Sequence, residues 1–306
     1  MSAVLPTEDG RLFVTDGGME TTLIYRKGFE LPQFATFPLL DGDAGTEALR
    51  SYYASYAQLA AELGAGLVLD TVTWRANADW GEKLGYDEAA LEDVNRRAVA
   101  LLRELRRDEP PLLISGCVGP RGDGYVVGET MTPEEAERYH DAQIAVFADE
   151  NVDLVSALTL TYADEATGIV RAAMRHGIPV VISFTVETDG RLPSGQALGE
   201  AIEQVDQATN GAAAYFMVNC AHPTHFAHVL EDGAPWLERI VGLRANASTK
   251  SHAELDESDE LDSGDPDDLG ARYRSLQDML PRLAVVGGCC GTDERHVAAV
   301  ARAVTR

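Results

Sequence analysis

The sequence predicts an α/β fold: a (β/α)8 barrel of the TIM type, forming one domain over residues 1–306. Two observations carry this. Short β-branched or aromatic runs alternate with longer amphipathic stretches along the chain. The residues with chemistry to offer fall just past those runs, where the active sites of such barrels form. The length suits a single barrel, enough to bury about 75% of the unfolded surface.

Strands are expected near 11–15, 66–71, 112–117, 152–158, 179–184, 214–219, 240–243 and 284–288, each followed by a helical stretch. Leu91, Val94, Ala98, Leu101 and Leu105 share one helical face, with Arg96, Arg97, Arg103 and Arg107 elsewhere. Thr132-Pro133-Glu134-Glu135 combines a cap, a first-turn proline and a Glu three residues after the cap. That predicts a helix running to about residue 148. The last helix is expected from about Thr292, carrying Val297, Val300, Ala301 and Val304. The competing architecture is an open doubly wound sheet, but no Gly-x-Gly-x-x-Gly follows the first strand. The glycine-rich run at 116–122 contains Pro120 and lacks the Lys-Ser/Thr ending of a phosphate loop.

A formal charge of −25 argues against nucleic acid and against anionic membrane surfaces. No apolar run is long enough to span a bilayer. The first residues lack the basic start and apolar stretch of a signal peptide, so cytoplasmic residence is expected, with reduced cysteines. Residues 254–268 are densely acidic. They read first as a solvated loop with a helical turn; a calcium site or a lid is the alternative. Oligomeric state is not legible.

Cys220 ends the run Tyr215-Phe216-Met217-Val218-Asn219, and Cys289-Cys290 follow Val285-Val286-Gly287-Gly288. Adjacent cysteines are poorly placed to bridge each other. Three thiolates from two strand ends suit Zn²⁺ with one tetrahedral position open, the mark of a catalytic rather than a closed site. Gly287, Gly288 and Gly291 would let the chain wrap closely there. Other readings stay open: three small buried hydrophobes, a redox pair, against which stands the absence of Cys-x-x-Cys spacing, or a closed Cys3His site with His222 as fourth ligand. His225 and His228 read as helix-surface residues, and Cys117 as a core or pocket-wall thiol. An open zinc would deprotonate an entering thiol, which could then attack a methyl group on a sulfonium or ammonium.

These motifs resemble the zinc-dependent homocysteine S-methyltransferases. The Gly-Gly-Cys-Cys-Gly element stands at 287–291, Asn-Cys at Asn219-Cys220 and Asp-Gly-Gly at Asp16-Gly17-Gly18. Ser183-Phe184-Thr185 and Gly190-Arg191-Leu192 match as well. The resemblance implies zinc on Cys220, Cys289 and Cys290, a small-molecule thiol acceptor such as homocysteine, and a small onium methyl donor. It places Asp16 at the substrate ammonium, with the backbone N–H groups around Gly17, Gly18 and Met19 at its carboxylate. Asn219 would orient the loop beside Cys220, and Asn246 would line the pocket or cap a turn. The family's Glu after the fourth strand is Leu158 here. Asp16 or Glu20 must then carry the ammonium, or the acceptor is another thiol. Trp74 and Trp80 follow the second strand; they are read either as faces for a methylated cation or as core.

Overall fold

The computed structural model describes all residues except 1–3, 107–108, 231–232, 259 and 305–306. Arg107, the first three residues and Asp259 of the acidic segment therefore lie outside the described residues.

Eight parallel strands close into a barrel in sequence order. They are β1 (Phe13–Val14), β2 (Gly66–Asp70), β3 (Leu112–Val118), β4 (Leu154–Leu160), β5 (Val180–Phe184), β6 (Tyr215–Asn219), β7 (Ile240–Ala245) and β8 (Val285–Gly288). The ring shuts where β1 pairs β8, Phe13 against Val285 and Val14 against Val286. Nearly every strand residue is buried, as expected when helices cover one face and barrel packing fills the other. The doubly wound alternative is thereby set aside.

Numbering only the longer helices, the outer layer comprises α1 (Asp43–Leu63), α2 (Ala78–Leu84), α3 (Glu88–Arg103), α4 (Pro133–Asp149), α5 (Ala163–His176), α6 (Leu198–Thr209), α7 (Pro266–Gln277) and α8 (Glu294–Val304). The capping box at Thr132 and Glu135 forms and starts α4. Leu105 falls beyond the end of α3 but still packs against the core. The expected helix after β6 does not form at length. Pro223–Phe226 makes a single turn and 3-10 turns follow, at Ala227–Val229 and Pro235–Arg239. Two prolines, Pro223 and Pro235, interrupt that stretch.

The core has two parts. A large one lies between barrel and helices, with Val14, Leu67, Phe147 and Phe216 among its members. A smaller one fills the barrel and includes Phe13, Val68, Leu154, Val181 and Val285. Cys117 and Leu158 belong to that inner set and also face the cavity at its upper end.

Candidate metal and substrate site

The sulfurs of Cys220, Cys289 and Cys290 lie within 4.8 Å of one another. Strand β7 brings them together. Its end accepts the Cys220 N–H at Arg244 O (3.0 Å) from one side and the Cys289 N–H at Ala245 O (2.8 Å) from the other. The Cys290 carbonyl then accepts the N–H of Ala247 (3.0 Å). Cys220 holds a left-handed backbone, φ +54°, which few non-glycine residues adopt. Its carbonyl is fixed by two donors, Asn246 Nδ2 (2.9 Å) and His252 Nε2 (2.6 Å). Glycine is required beneath β8: a Cβ on Gly287 would sit 1.9 Å from Thr15 Oγ1, and one on Gly288 would sit 2.0 Å from Thr292 Oγ1.

The sequence led us to expect three thiolates sharing a metal. The sulfurs of Cys220 and Cys289 lie in pairing contact, with Cα atoms 5.3 Å apart, and Cys290 is free. The pairing follows from the register: two cysteines flanking one strand end are at bonding separation. A disulfide and a shared metal are alternative uses of the same sulfurs, because metal ligation needs reduced thiolates. In the reduced state the donor set fits zinc. Tetrahedral Zn–S bonds of ~2.3 Å require sulfurs about 3.8 Å apart. Burial pushes the Cys290 thiol up to about 12, helped by Glu20 and partly offset by a hydrogen bond donated by Tyr125. A thiolate there needs a cation beside it.

His222 is not part of the cluster. Its Nδ1 caps the Pro223–Phe226 turn, accepting from Thr224 N at 3.3 Å. Burial drops its pKa to about 4. The Cys3His alternative therefore loses its fourth ligand. His225, expected on a helix surface, is buried with Nε2 at Thr249 O (2.9 Å), whereas His228 is exposed.

Around the sulfurs, a cavity is walled by Asp16, Glu20, Asp70, Trp74, Leu158 and Arg244, among others. Arg244, on β7, pairs with both Asp16 and Asp70. Its Nε faces Gly288 O at 3.4 Å. Asp16 also accepts from Tyr52 Oη (3.1 Å). Burial outweighs the pull of Arg244 and raises Asp16 to about 6. Thus Asp16 already has a cation. Glu20 forms no ion pair among the described residues: its Oε1 accepts from Thr36 Oγ1 (2.9 Å), and burial raises its pKa against the weaker pulls of Thr36, Arg244 and Arg75. Of the Asp-Gly-Gly amides, Gly18 N–H is taken by Thr292 O and Oγ1, both at 3.1 Å.

Asn219 acts as a clamp. Its Oδ1 accepts from Thr159 N (2.9 Å) and Ser183 Oγ (2.6 Å), and its Nδ2 donates to Thr159 Oγ1 (2.8 Å). Thr159 has φ +64° at a register shift in β4, so Asn219 holds the strained strand end that carries Leu158. Trp74 donates its indole N–H to Leu158 O (3.1 Å). Trp80 faces no incoming cation: Arg75 lies 3.7 Å and Lys83 3.8 Å from its ring centroid.

The acidic segment is partly structured. Ser251 caps a turn at His252–Asp256, Asp265 caps α7, and Leu255, Asp256, Glu260, Leu261 and Asp262 line a second, outer cavity. Among the described residues, only the three cysteines form a group able to hold a metal, so the calcium alternative finds no cluster. No described helix is long and apolar enough to cross a membrane.

Sequence reading missed Asp70, Arg75, Tyr125, Arg244 and His252. Asp70 and Arg244 carried a signal, since a charge at the C-terminal end of a barrel strand points at the site. Tyr125 and His252 sit on loops and carried none.

The fold and site define a parallel barrel with three cysteine sulfurs gathered at its C-terminal mouth. The homocysteine S-methyltransferase family model matches residues 13–304, and the chain belongs to that family. It is 25% identical over 320 residues to homocysteine S-methyltransferase 4 of Zea mays, covering 97% of this chain and 90% of the relative. Among solved structures it is similar to the homocysteine methyltransferase MmuM from Escherichia coli. The metallated form aligns with TM-score 0.76 at 18% identity, covering 96% of this chain and 97% of that one. The oxidized form aligns with TM-score 0.75 at 19% identity, covering 95% and 94%. The chain is thus an enzyme of the homocysteine-methyltransferase kind.

Proposed function

We propose that the reduced chain binds one zinc ion through Cys220, Cys289 and Cys290 and transfers a methyl group from a small sulfonium or ammonium donor to a thiol. Homocysteine is the acceptor and methionine the product. S-methylmethionine, S-adenosylmethionine, betaine and dimethylsulfoniopropionate are the candidate donors. One domain over residues 1–306 carries this activity, in a reducing compartment, the cytoplasm.

The observation that carries the reading is the convergence of three sulfurs on one cavity beside the Asp-Gly-Gly loop. Bound there, zinc supplies the charge that keeps an entering thiol deprotonated at neutral pH. The chain supplies alignment, which is worth several kcal/mol when two reactants meet in near-attack geometry. Since Arg244 occupies Asp16, we assign the acceptor's ammonium to Glu20. Its carboxylate goes to the N–H of Met19, because Thr292 takes that of Gly18 and Tyr56 Oη accepts that of Gly17. Asn219 sets the strand end that makes the opposite wall apolar at Leu158, and Trp74 closes the side shared with the outer cavity.

The test is a panel of thiols crossed with the four donors, using reduced, zinc-loaded protein and mass spectrometry of the products. Methionine formed from homocysteine supports the assignment. Transfer to no thiol overturns it.

A further inference from the structure

Outside the thiol cavity lies the second one, sharing Phe34, Trp74, Tyr125 and Cys290 with it. A molecule seated there therefore lies against the zinc-site residue Cys290. Asp123, Asp256, Glu260 and Asp262 contribute negative charge to its wall, and Phe34, Trp74 and Tyr125 contribute rings. Against them stands one guanidinium, that of Arg75.

Arg75 is 5% exposed. Its guanidinium carbon lies 4.1 Å from the Trp74 ring centroid and 3.7 Å from that of Trp80. Nη1 donates to Gly122 O at 2.9 Å. Nε is buried with no acceptor. Nη2 lies 3.9 Å from Asp123 Oδ2, beyond hydrogen-bond length. The other oxygen of Asp123 is turned to its own loop, accepting from Tyr125 N (2.8 Å) and Val126 N (3.0 Å). A buried cation with donors unspent is costly to a fold. A planar guanidinium held against two indole rings is shaped for a carboxylate.

We propose that the outer cavity is the methyl-donor site and that Arg75 receives a carboxylate borne by the donor. This rests on the methyl-transfer reading and adds to it the residue that selects a donor. Each of the four candidate donors carries an onium centre and a carboxylate, and Arg75 is assigned to discriminate them from a bare onium. The donor's carboxylate is anchored at Arg75. Its cationic end is left to the rings and the acidic wall, beside Cys290. Cation–π attraction and the carboxylates favour that end there. Asp256, Glu260 and Asp262 thus contribute to substrate recognition.

The experiment compares S-methylmethionine with its methyl ester, with homocysteine as acceptor, in wild type, Arg75→Gln and Arg75→Lys. A charge-assisted hydrogen bond is worth roughly ten- to a hundredfold. In wild type, kcat/KM should favour the free acid by at least about tenfold. In Arg75→Gln that ratio should collapse toward one, through KM for the acid, and Arg75→Lys should keep an intermediate ratio. Dimethylsulfoniopropionate against trimethylsulfonium should repeat the pattern. Equal losses for acid and ester would mean that Arg75 only holds Trp74 and Trp80, and would overturn the proposal while leaving the methyltransferase reading intact. A wild type indifferent to the carboxylate would do the same. If Arg75→Gln does not fold, the Arg75→Lys ratio decides: a value unchanged from wild type in both donor pairs overturns the proposal. No turnover of any donor and thiol would remove the reading and the inference together.

Discussion

The two cavities are built on different principles. The inner one is made at strand ends, and its charges are mostly spent on one another: Arg244 answers Asp16 and Asp70, leaving Glu20 as the carboxylate with no ion pair among the described residues. The outer one is made from loops, and its charges are only loosely paired: Asp262 faces Lys250 and Asp123 faces Arg75, each at 3.9 Å, while Arg75 Nε has no acceptor. A tightly paired centre fixes geometry at the cost of burying ions. A loosely paired wall keeps interaction energy for a ligand. Changes to the inner cavity should therefore damage metal binding or folding, whereas changes to the outer one should alter which donor is used.

The sharpest break is at the sulfurs. Cys289→Ser or Cys220→Ser should lose most of the zinc, read by metal analysis, and with it essentially all turnover. The contact between Cys220 and Cys289 adds a second arm. Wild-type protein kept oxidised should take up little zinc, and treatment with a reductant should restore it. Full zinc in both serine variants would sink the three-thiolate site.

Arg244 comes next. Arg244→Met leaves Asp16 and Asp70 facing each other without a cation. Removing one partner of a buried ionic group costs about 3–5 kcal/mol. Urea unfolding should register that loss, and an unchanged midpoint would show that the triad is not structural.

Glu20→Gln should act more mildly and more selectively. Loss of a charge-assisted contact predicts a KM for homocysteine raised roughly ten- to a hundredfold. For 3-mercaptopropionate, which has no amino group, KM should change little. Asp16→Asn should affect folding more than KM. The reverse pattern would return the ammonium to Asp16.

The same contrast explains what could be read from the sequence. Eight strands were legible to within a few residues, because short apolar runs bounded by polar loops have one parsimonious layout in a chain of this length. The cysteines were legible because strand ends meet at one mouth whatever the loops do. The contact between Cys220 and Cys289 was not, since register alone decides which two of three sulfurs touch. The second cavity was not either. Arg75 reads as an ordinary loop arginine until its guanidinium is seen against the rings of both Trp74 and Trp80. The acidic run reads as a solvated loop until the chain after β7 brings it back over the barrel.

The smallest expected effect separates metal ligand from cap at His222. The residue is 2% exposed. Burial, with Arg272 and His225 nearby, lowers its pKa to about 4 from the ordinary 6.5, against a weaker opposing pull from Asp268. Between those two values the unfolded chain binds a proton that the folded chain refuses. Stability should therefore fall as pH drops from 6.5 toward 4, by up to about 1.4 kcal/mol per unit from this group. Asp16 works in the opposite sense, because its folded pKa near 6 exceeds its ordinary 3.8 and protonation there favours the folded state. The difference between variant and wild type isolates His222. In His222→Asn, which keeps a capping side chain, stability should decline less steeply over that range while zinc content and turnover at neutral pH stay near wild type. Zinc loss in this variant would restore a four-ligand, closed site and end the case for an open position.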